Sequence, residues 1–256
     1  MDIVFVLILG ALWGSFANVC IVRLPKDKGV VGGRSHCPKC KKKIVWYDNI
    51  PIISYLFLNG KCRKCKKPIL FQYVIVELIS SISFVLIYVL YGLTLTTLFL
   101  FILSLAFIII FFIDLEHFII PNVITFPMMA LGFIKSFDPN LNSMFPNYII
   151  SLAGGLFGYG IIWAIIFFYK QVRNKEGMGL GDAKLLAVIG FWFGLQSIPF
   201  VIFFSSTIAL LSVVPALLNK TKKMSSQIPF GPYIICLLYT SPSPRDLSTS
   251  RMPSSA

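Results

Sequence analysis

Two Cys-x-x-Cys pairs stand in the first third of the chain, Cys37-Pro38-Lys39-Cys40 and Cys62-Arg63-Lys64-Cys65, with 21 residues between them. Each pair offers two thiolates from one tight turn, and two such turns complete the tetrahedral four-sulfur shell of a zinc ribbon. The lysines beside the sulfurs favour the thiolate form and offset the negative charge of a zinc held by four thiolates. A closed shell leaves no position for water, so the metal is expected to be structural. Its binding would supply the folding energy of a loop poor in apolar residues. Two disulfides are the alternative, and they require an oxidising compartment. Cys20 and Cys236 lie in apolar runs and read as core residues.

The second set of candidates is acidic. Asp114 ends an apolar run in Phe112-Ile113-Asp114-Leu115-Glu116-His117, and Asp182 opens another in Gly177-Met178-Gly179-Leu180-Gly181-Asp182-Ala183-Lys184. Glu77 lies about two turns inside a third run. Ionisable groups at such depth are costly and are functional candidates by default. Two facing carboxylates share one proton, as in aspartic proteases. The ionised member then takes a proton from the attacking water, and the protonated member donates to the peptide carbonyl oxygen. Gly179 and Gly181 would let the backbone bend and a substrate strand approach closely. Taken one at a time, these residues have plainer readings. Asp182 can cap its helix, Asp114 can pair with Lys184 or face water, and Glu77 can pair with a basic side chain of the first loop. Other hydrolase chemistries are less well supported: there is no HExxH motif, the two histidines are His36 and His117, and Glu116-His117 reads as interfacial.

The elements that must position these groups follow from composition. The chain has 256 residues, 57% of them hydrophobic and 13% charged, with a mean hydropathy of +0.82. A soluble domain carries roughly 25% charged residues, and disordered chains lack such apolar content, which leaves a polytopic membrane protein. A span needs about 20 apolar residues. Runs fit at Ile3–Val22, Leu70–Tyr91, Leu95–Ile113, Phe118–Ile134, Tyr148–Tyr169, Leu185–Phe200 and Val201–Leu218, the last two broken at Gln196 to Pro199. An eighth begins at Ile228 and stops near Tyr239. The first has no basic flank before it and no small-residue cleavage site, so it reads as a retained anchor.

Charge orients these runs. Between Arg23 and Tyr73 lie 13 Lys/Arg against two acids, Asp27 and Asp48. With the N-terminus outside, the inside loops hold 20 of the 23 Lys/Arg, and Lys135 alone lies outside. By the positive-inside rule the four-cysteine loop, Asp114 and Asp182 are then cytoplasmic. Attraction to an anionic leaflet explains the basic loop. No aromatic-and-basic ladder or helix-turn-helix pattern accompanies it, so no nucleic acid partner is expected. From Thr240 to Ala256, 11 of 17 residues are Ser, Thr or Pro. This stretch aborts a helix and reads as foreign sequence, with a disordered C-terminus as the alternative.

In this order the motifs resemble the type IV prepilin leader peptidases, which are also N-methyltransferases. The resemblance runs from about Gly14 to Tyr233. It is carried by Gly14-Ser15-Phe16-Ala17-Asn18-Val19-Cys20 with Arg23-Leu24-Pro25, and by Asp48-Asn49-Ile50-Pro51-Ile52-Ile53-Ser54-Tyr55. Further matches are the two cysteine pairs, Tyr73 with Glu77-Leu78, Ile113-Asp114 with Pro121-Asn122, the run from Gly177 to Leu185, and Ile228-Pro229-Phe230-Gly231-Pro232-Tyr233. The resemblance implies an all-α inner-membrane protein of about eight transmembrane helices, the last truncated, with a cytoplasmic zinc-ribbon-like loop. It implies Asp114 and Asp182 as the catalytic pair, supported by Gly179, Gly181 and Lys184. It implies cleavage of prepilin and pseudopilin leaders after a glycine on the cytoplasmic side, then methylation of the new N-terminal residue from S-adenosylmethionine. Methyl transfer would belong to the N-terminal region, residues 1–73, with Gly60 at the cofactor; no Rossmann-type fingerprint supports this independently. Residues 74–235 would form the peptidase domain and 236–256 the atypical tail. Asn122 stands where the family commonly has an acid. Two other classes remain open at this point: a proton-coupled transporter using the same acids, and a zinc-stabilised scaffold without chemistry. No inverted repeat supports the transporter.

Overall fold

The structure is a computed structural model. It describes residues 3–30, 36–37, 39–139, 141, 145–173, 179–218 and 231–240; the side chains of 46, 49, 173, 213–218 and 236–240 are outside that description. The tail and residues 228–230 of the last motif are outside it as well. Among the described residues the chain is helical with no strand beyond two isolated bridges. By its internal contacts it divides into two units, Met1–His117 and Phe118–Ala256.

The first unit contains α1 (Ile3–Arg23), the short α2 (Ile53–Phe57), α3 (Gln72–Tyr91) and α4 (Leu95–His117). α1 and α3 run antiparallel. A Cβ on Gly10 would lie 2.7 Å from Ser81 Cα, and one on Gly14 would lie 2.8 Å from Glu77 Cα. One step further along, Asn18 Nδ2 donates to Tyr73 O at 2.9 Å. The spacing Gly10-x-x-x-Gly14 thus removes side chains from one face of α1 and lets the two backbones touch, the way helices associate where apolar burial gives no preference for protein over lipid. Ser80 and Ser81 on the facing helix satisfy their hydroxyls on the carbonyls of Val76 and Glu77.

The second unit contains α5 (Asn122–Ile134), α6 (Tyr148–Arg173), α7 (Leu180–Phe193), α8 (Ser197–Leu218) and α9 (Gly231–Thr240). Its seam repeats the device: Gly154 and Gly158 of α6 lie against the backbone of α7 at Gly190 and Leu186. A Cβ on Gly158 would lie 2.7 Å from Leu186 O, whereas one on Gly160 would meet nothing within 4 Å. Gly158→Val is therefore expected to lower stability by about 1–3 kcal/mol, read as a lower unfolding midpoint in detergent, while Gly160→Val stays within about 0.5 kcal/mol of the parent. Trp192 fills the rest of this core: its Nε1 donates to Met128 O at 2.8 Å, and its own carbonyl accepts from the buried Lys135 Nζ at 3.2 Å. That ammonium lies 3.7 Å from the centre of the Phe145 ring, so the one basic residue expected in an outside loop is packed inside the unit.

Helix bounds differ from the hydropathy runs for local reasons. α5 begins at Asn122 because Pro121 holds an extended φ/ψ just before it. α7 begins at Leu180, five residues before its apolar run, because Asp182 and Lys184 sit in its first turns. It ends at Gly194, whose φ of +81° favours glycine. The break before α8 falls at Gly194 to Gln196 instead of Gln196 to Pro199, since proline is tolerated in the first turn of a helix. Among the described residues, four helices are long and apolar enough to cross a bilayer: Ile3–Lys26, Gln72–Tyr91, Leu95–His117 and Tyr148–Val172. Asn122–Phe137 and Ser197–Ser212 are shorter apolar helices. The chain is a membrane protein by these spans.

Candidate active site and metal centre

The four cysteines come together. The sulfurs of Cys37, Cys40, Cys62 and Cys65 all lie within 4.8 Å of one another, with Cys37 and Cys65 at 3.9 Å. Tetrahedral bonds of about 2.3 Å to one metal put neighbouring sulfurs roughly 3.8 Å apart, so the shell fits a metal ion. The two turns that build it are copies of each other. In the first, Cys37 N donates to Lys42 O and Lys41 N to Cys37 O; in the second, Cys62 N donates to Lys67 O and Lys66 N to Cys62 O. Lys41 and Lys66 both take a positive φ, and the bridges His36–Lys43 and Lys61–Pro68 close the two turns. All four thiols are free of disulfides.

The metal-free thiols ionise unequally. Burial works against the Cys37 thiolate, but hydrogen bonds from the Cys40 and Lys39 backbone and the Cys40 and Cys62 thiols bring it down to about 7. The Lys67 backbone N–H favours the Cys65 thiolate, yet burial and the other three sulfurs push Cys65 up to about 11. One negative sulfur thus opposes the next, and a bound cation is what lets all four ionise together.

Asp48 and Arg63 hold the second turn in place. Arg63 Nε lies 2.9 Å from one Asp48 oxygen, and its terminal nitrogen lies 2.7 Å from the other. The guanidinium also covers the Tyr47 ring at 5.4 Å.

Gly60, between this segment and the second turn, has φ +66°, and a Cβ there would lie 2.8 Å from the Tyr55 hydroxyl oxygen. The glycine is needed for both the turn and the Tyr55 ring, and that ring fills the space beside it.

Glu77 is buried in α3. Its Oε2 accepts the Ile52 N–H at 2.8 Å, and Ser15 hydrogen-bonds the same carboxylate. Its partners are thus a backbone N–H and a serine, not the basic side chain that was the plainer reading. Ile52 has φ +60° and ψ −52°, with Ile53 N donating to Pro51 O at 2.5 Å. This is a γ-turn of the strained hand, centred on a β-branched residue. Glu77→Ala leaves the Ile52 N–H without its acceptor, at about 1–3 kcal/mol. Amide exchange at Ile52 and Ile53 is expected to accelerate, and Glu77→Gln, which keeps an acceptor oxygen, should show the smaller change. Spacing alone did not point to this turn; the signal was an acid inside an apolar run with no basic neighbour.

The two aspartates lie in different units. Asp114 is 5% exposed in the last turn of α4, so it does not face water. The neighbouring Glu116 and His117 are exposed. Asp182 is half-buried in the first turn of α7. The N-cap there is Gly179, with Asp182 N donating to Gly179 O at 3.2 Å. Asp182 thus sits inside the helix as its third residue, where the positive end of the helix dipole favours a carboxylate. Gly181 packs against Ile120, while a Cβ on Gly179 would make only an ordinary contact, 3.8 Å from Gly181 N. Lys184 Nζ donates to Asn122 Oδ1 at 2.7 Å and lies over the Phe126 ring. Gly177 and Met178 are outside the described residues.

Comparison with known proteins covers both units. Residues 8–91 match the Bacterial Peptidase A24 N-terminal domain, and residues 101–214 match the Type IV leader peptidase family. The chain is 36% identical to the Prepilin leader peptidase/N-methyltransferase of Xanthomonas campestris pv. campestris, over 88% of this chain and 85% of the relative. Proteins of the same name from Pseudomonas aeruginosa and Neisseria gonorrhoeae are each 34% identical, over 89% and 88% of this chain and 85% and 84% of theirs. No solved structure matches. With both domains matched in order and relatives aligned across most of their length, the chain belongs to the type IV leader peptidase family.

Proposed function

We propose that this protein removes the leader peptide from type IV prepilins and pseudopilins after a glycine, and then methylates the new N-terminal residue using S-adenosylmethionine. The observation that supports it is the likeness, over 88% of the chain, to a protein named Prepilin leader peptidase/N-methyltransferase. Asp114 and Asp182 act as the dyad. The ionised carboxylate takes a proton from water as its oxygen adds to the scissile carbonyl, and the protonated carboxyl donates to the carbonyl oxygen. Collapse of that intermediate breaks the C–N bond, with the proton passing to the leaving amine. Gly179, Gly181 and Lys184 support the Asp182 end, Lys184 through its bond to Asn122.

The protein crosses the inner membrane with eight helices, its N-terminus outside and its four-cysteine loop and aspartates cytoplasmic. The 20 Lys/Arg that this orientation keeps inside support it. Residues 74–235 carry the peptidase. Residues 1–73 carry methyl transfer, with Gly60 shaping the turn of the cofactor region and zinc held by Cys37, Cys40, Cys62 and Cys65. S-adenosylmethionine, when bound, supplies an electrophilic methyl group.

The test is incubation of the detergent-solubilised protein with a purified prepilin and S-adenosylmethionine, read by product mass. Loss of the leader mass followed by gain of one methyl is expected. An intact prepilin in the presence of folded protein would reject the peptidase, and a cleaved but unmethylated product would reject the second activity.

A further inference from the structure

The segment from Ile50 to Leu58 carries its polarity the wrong way round for a loop in water. In α2, Ser54 is buried and donates to Tyr47 O at 2.9 Å, while Ile53, Leu56 and Phe57 point outward. Those three stand at i, i+3 and i+4, one face of a helix. Leu56 is 67% and Phe57 84% exposed. Leu70 and Phe71, at the entrance to α3, are 63% and 60% exposed, and the Tyr55 and Phe71 rings lie 6.1 Å apart. The two apolar surfaces therefore adjoin.

The level of this patch is set by Glu77. The Ile52 N–H that it accepts belongs to the residue just before α2, and Glu77 is five residues into the span that begins at Gln72. At 1.5 Å per residue, Ile52 lies about 7–8 Å inside the end of that span, and α2 climbs from there to the level of Phe71. Backbone at such depth must have its polar groups satisfied by protein. Five of its N–H groups are: Ile52 N donates to Glu77, Ile53 N to Pro51 O, Ser54 N to Ile50 O, Leu56 N to Ile52 O and Leu58 N to Ser54 O. Pro51 has no N–H to satisfy. Beyond the patch the surface changes sign: Lys61, Lys64, Lys66 and Lys67 of the second cysteine turn are all exposed.

We infer that residues 50–58 form a re-entrant segment that inserts Ile53, Leu56 and Phe57 into the bilayer beside α3, while the lysines of the cysteine turns bind the anionic headgroups of the same leaflet. An inward-facing serine, an outward-facing apolar face, a turn whose N–H is taken up by a buried carboxylate and a basic rim are together the signature of an interfacial element. The insertion gives Glu77 its purpose, since it supplies the one acceptor that the γ-turn needs at that depth. It also holds the metal centre on the membrane surface. The inference does not depend on the peptidase reading.

The full chain in lipid nanodiscs tests it. A benzophenone amino acid replaces Phe57, with the same replacement at Leu78, on the exposed face of α3, as the lipid-facing control and at Lys64 as the aqueous control. After illumination, position 57 is expected to give acyl-chain adducts like those at Leu78, and Lys64 none. The yield at 57 should be at least about threefold higher in discs of equal phosphatidylcholine and phosphatidylglycerol than in phosphatidylcholine alone. Adducts to a second copy of the chain or to a prepilin would mark a protein-docking surface and overturn the insertion. So would water-quenched product at 57 while Leu78 labels lipid. Equal yields in the two discs would overturn the headgroup half. A further variant, Leu56→Ser with Phe57→Ser, should speed amide exchange across 53–57 at least about tenfold while its metal content stays unchanged; unaltered exchange overturns the insertion as well.

Discussion

Asp114→Asn and Asp182→Asn are each expected to abolish leader cleavage while leaving the protein folded. Asparagine matches aspartate in shape and still hydrogen-bonds, so the last turn of α4 and the first turn of α7 keep their packing. At Asp182 the substitution also gives up the favourable interaction of a carboxylate with the helix dipole, about 0.3–1 kcal/mol. The rate effect is of a different size. Asparagine neither takes the proton of the attacking water nor gives one to the carbonyl oxygen, and a positioned acid or base contributes about 10²–10⁴ in rate. With one group serving as base and the other as acid, either substitution should slow cleavage at least about a thousandfold. The measurement is the initial rate of leader loss by mass, with the detergent unfolding midpoint as the folding control. A variant pair that both cleave at the parent's rate would eliminate the dyad. The parent's rate should also be bell-shaped in pH, since a shared proton makes both too many and too few protons inactive.

Metal removal should have the largest structural effect. Between Ile21 and Val74, Cys37 is the only buried hydrophobic residue among those described, so the segment has no apolar core to hold it once the metal leaves. Structural zinc shells of four ligands are worth roughly 10–16 kcal/mol near neutral pH, far more than the Asp48–Arg63 pair, whose arginine is exposed and whose attraction water screens. Chelation, or Cys62→Ser, is therefore expected to unprotect the amides of residues 36–45 and 60–69 while those of α1 and α3 stay protected, because the Gly10 and Gly14 contact does not involve the metal. Elemental analysis should find one zinc per parent chain. Protected amides after complete metal loss would mean that the turns fold without it.

The cysteine shell and the helical class were legible in the sequence because both are local. Three residues of spacing set each pair of thiolates, and the repeat of the same turn at Cys37 and Cys62 needs only a left-handed lysine after each second cysteine. Apolar length likewise marked α1 and α3 to within two residues and the starts of α4 and α6, which run on four residues past their apolar stretches. Where charges entered a helix, as at Asp182 and Lys184, hydropathy misplaced its start. The reason is that a helix is continued by backbone bonds, which the charged side chains of its first turn do not interrupt.

By itself, then, the amino-acid order determined that the chain is helical, that it is built for a membrane, which four cysteines could hold a metal and which family motifs it carries. Tertiary structure decided what those motifs touch. Gly10, Gly14, Gly154 and Gly158 acquire their meaning only when α3 and α7 lie against them. Lys135, a surface residue by composition, is enclosed by Phe145 and Trp192. Glu77 found its partner 25 residues away in a backbone N–H, and no pattern of side chains announces such a bond, because every residue but proline has that donor. Interactions that depend on neighbours in sequence are written in spacing. Those that depend on the approach of distant backbones exist only once the helices have packed.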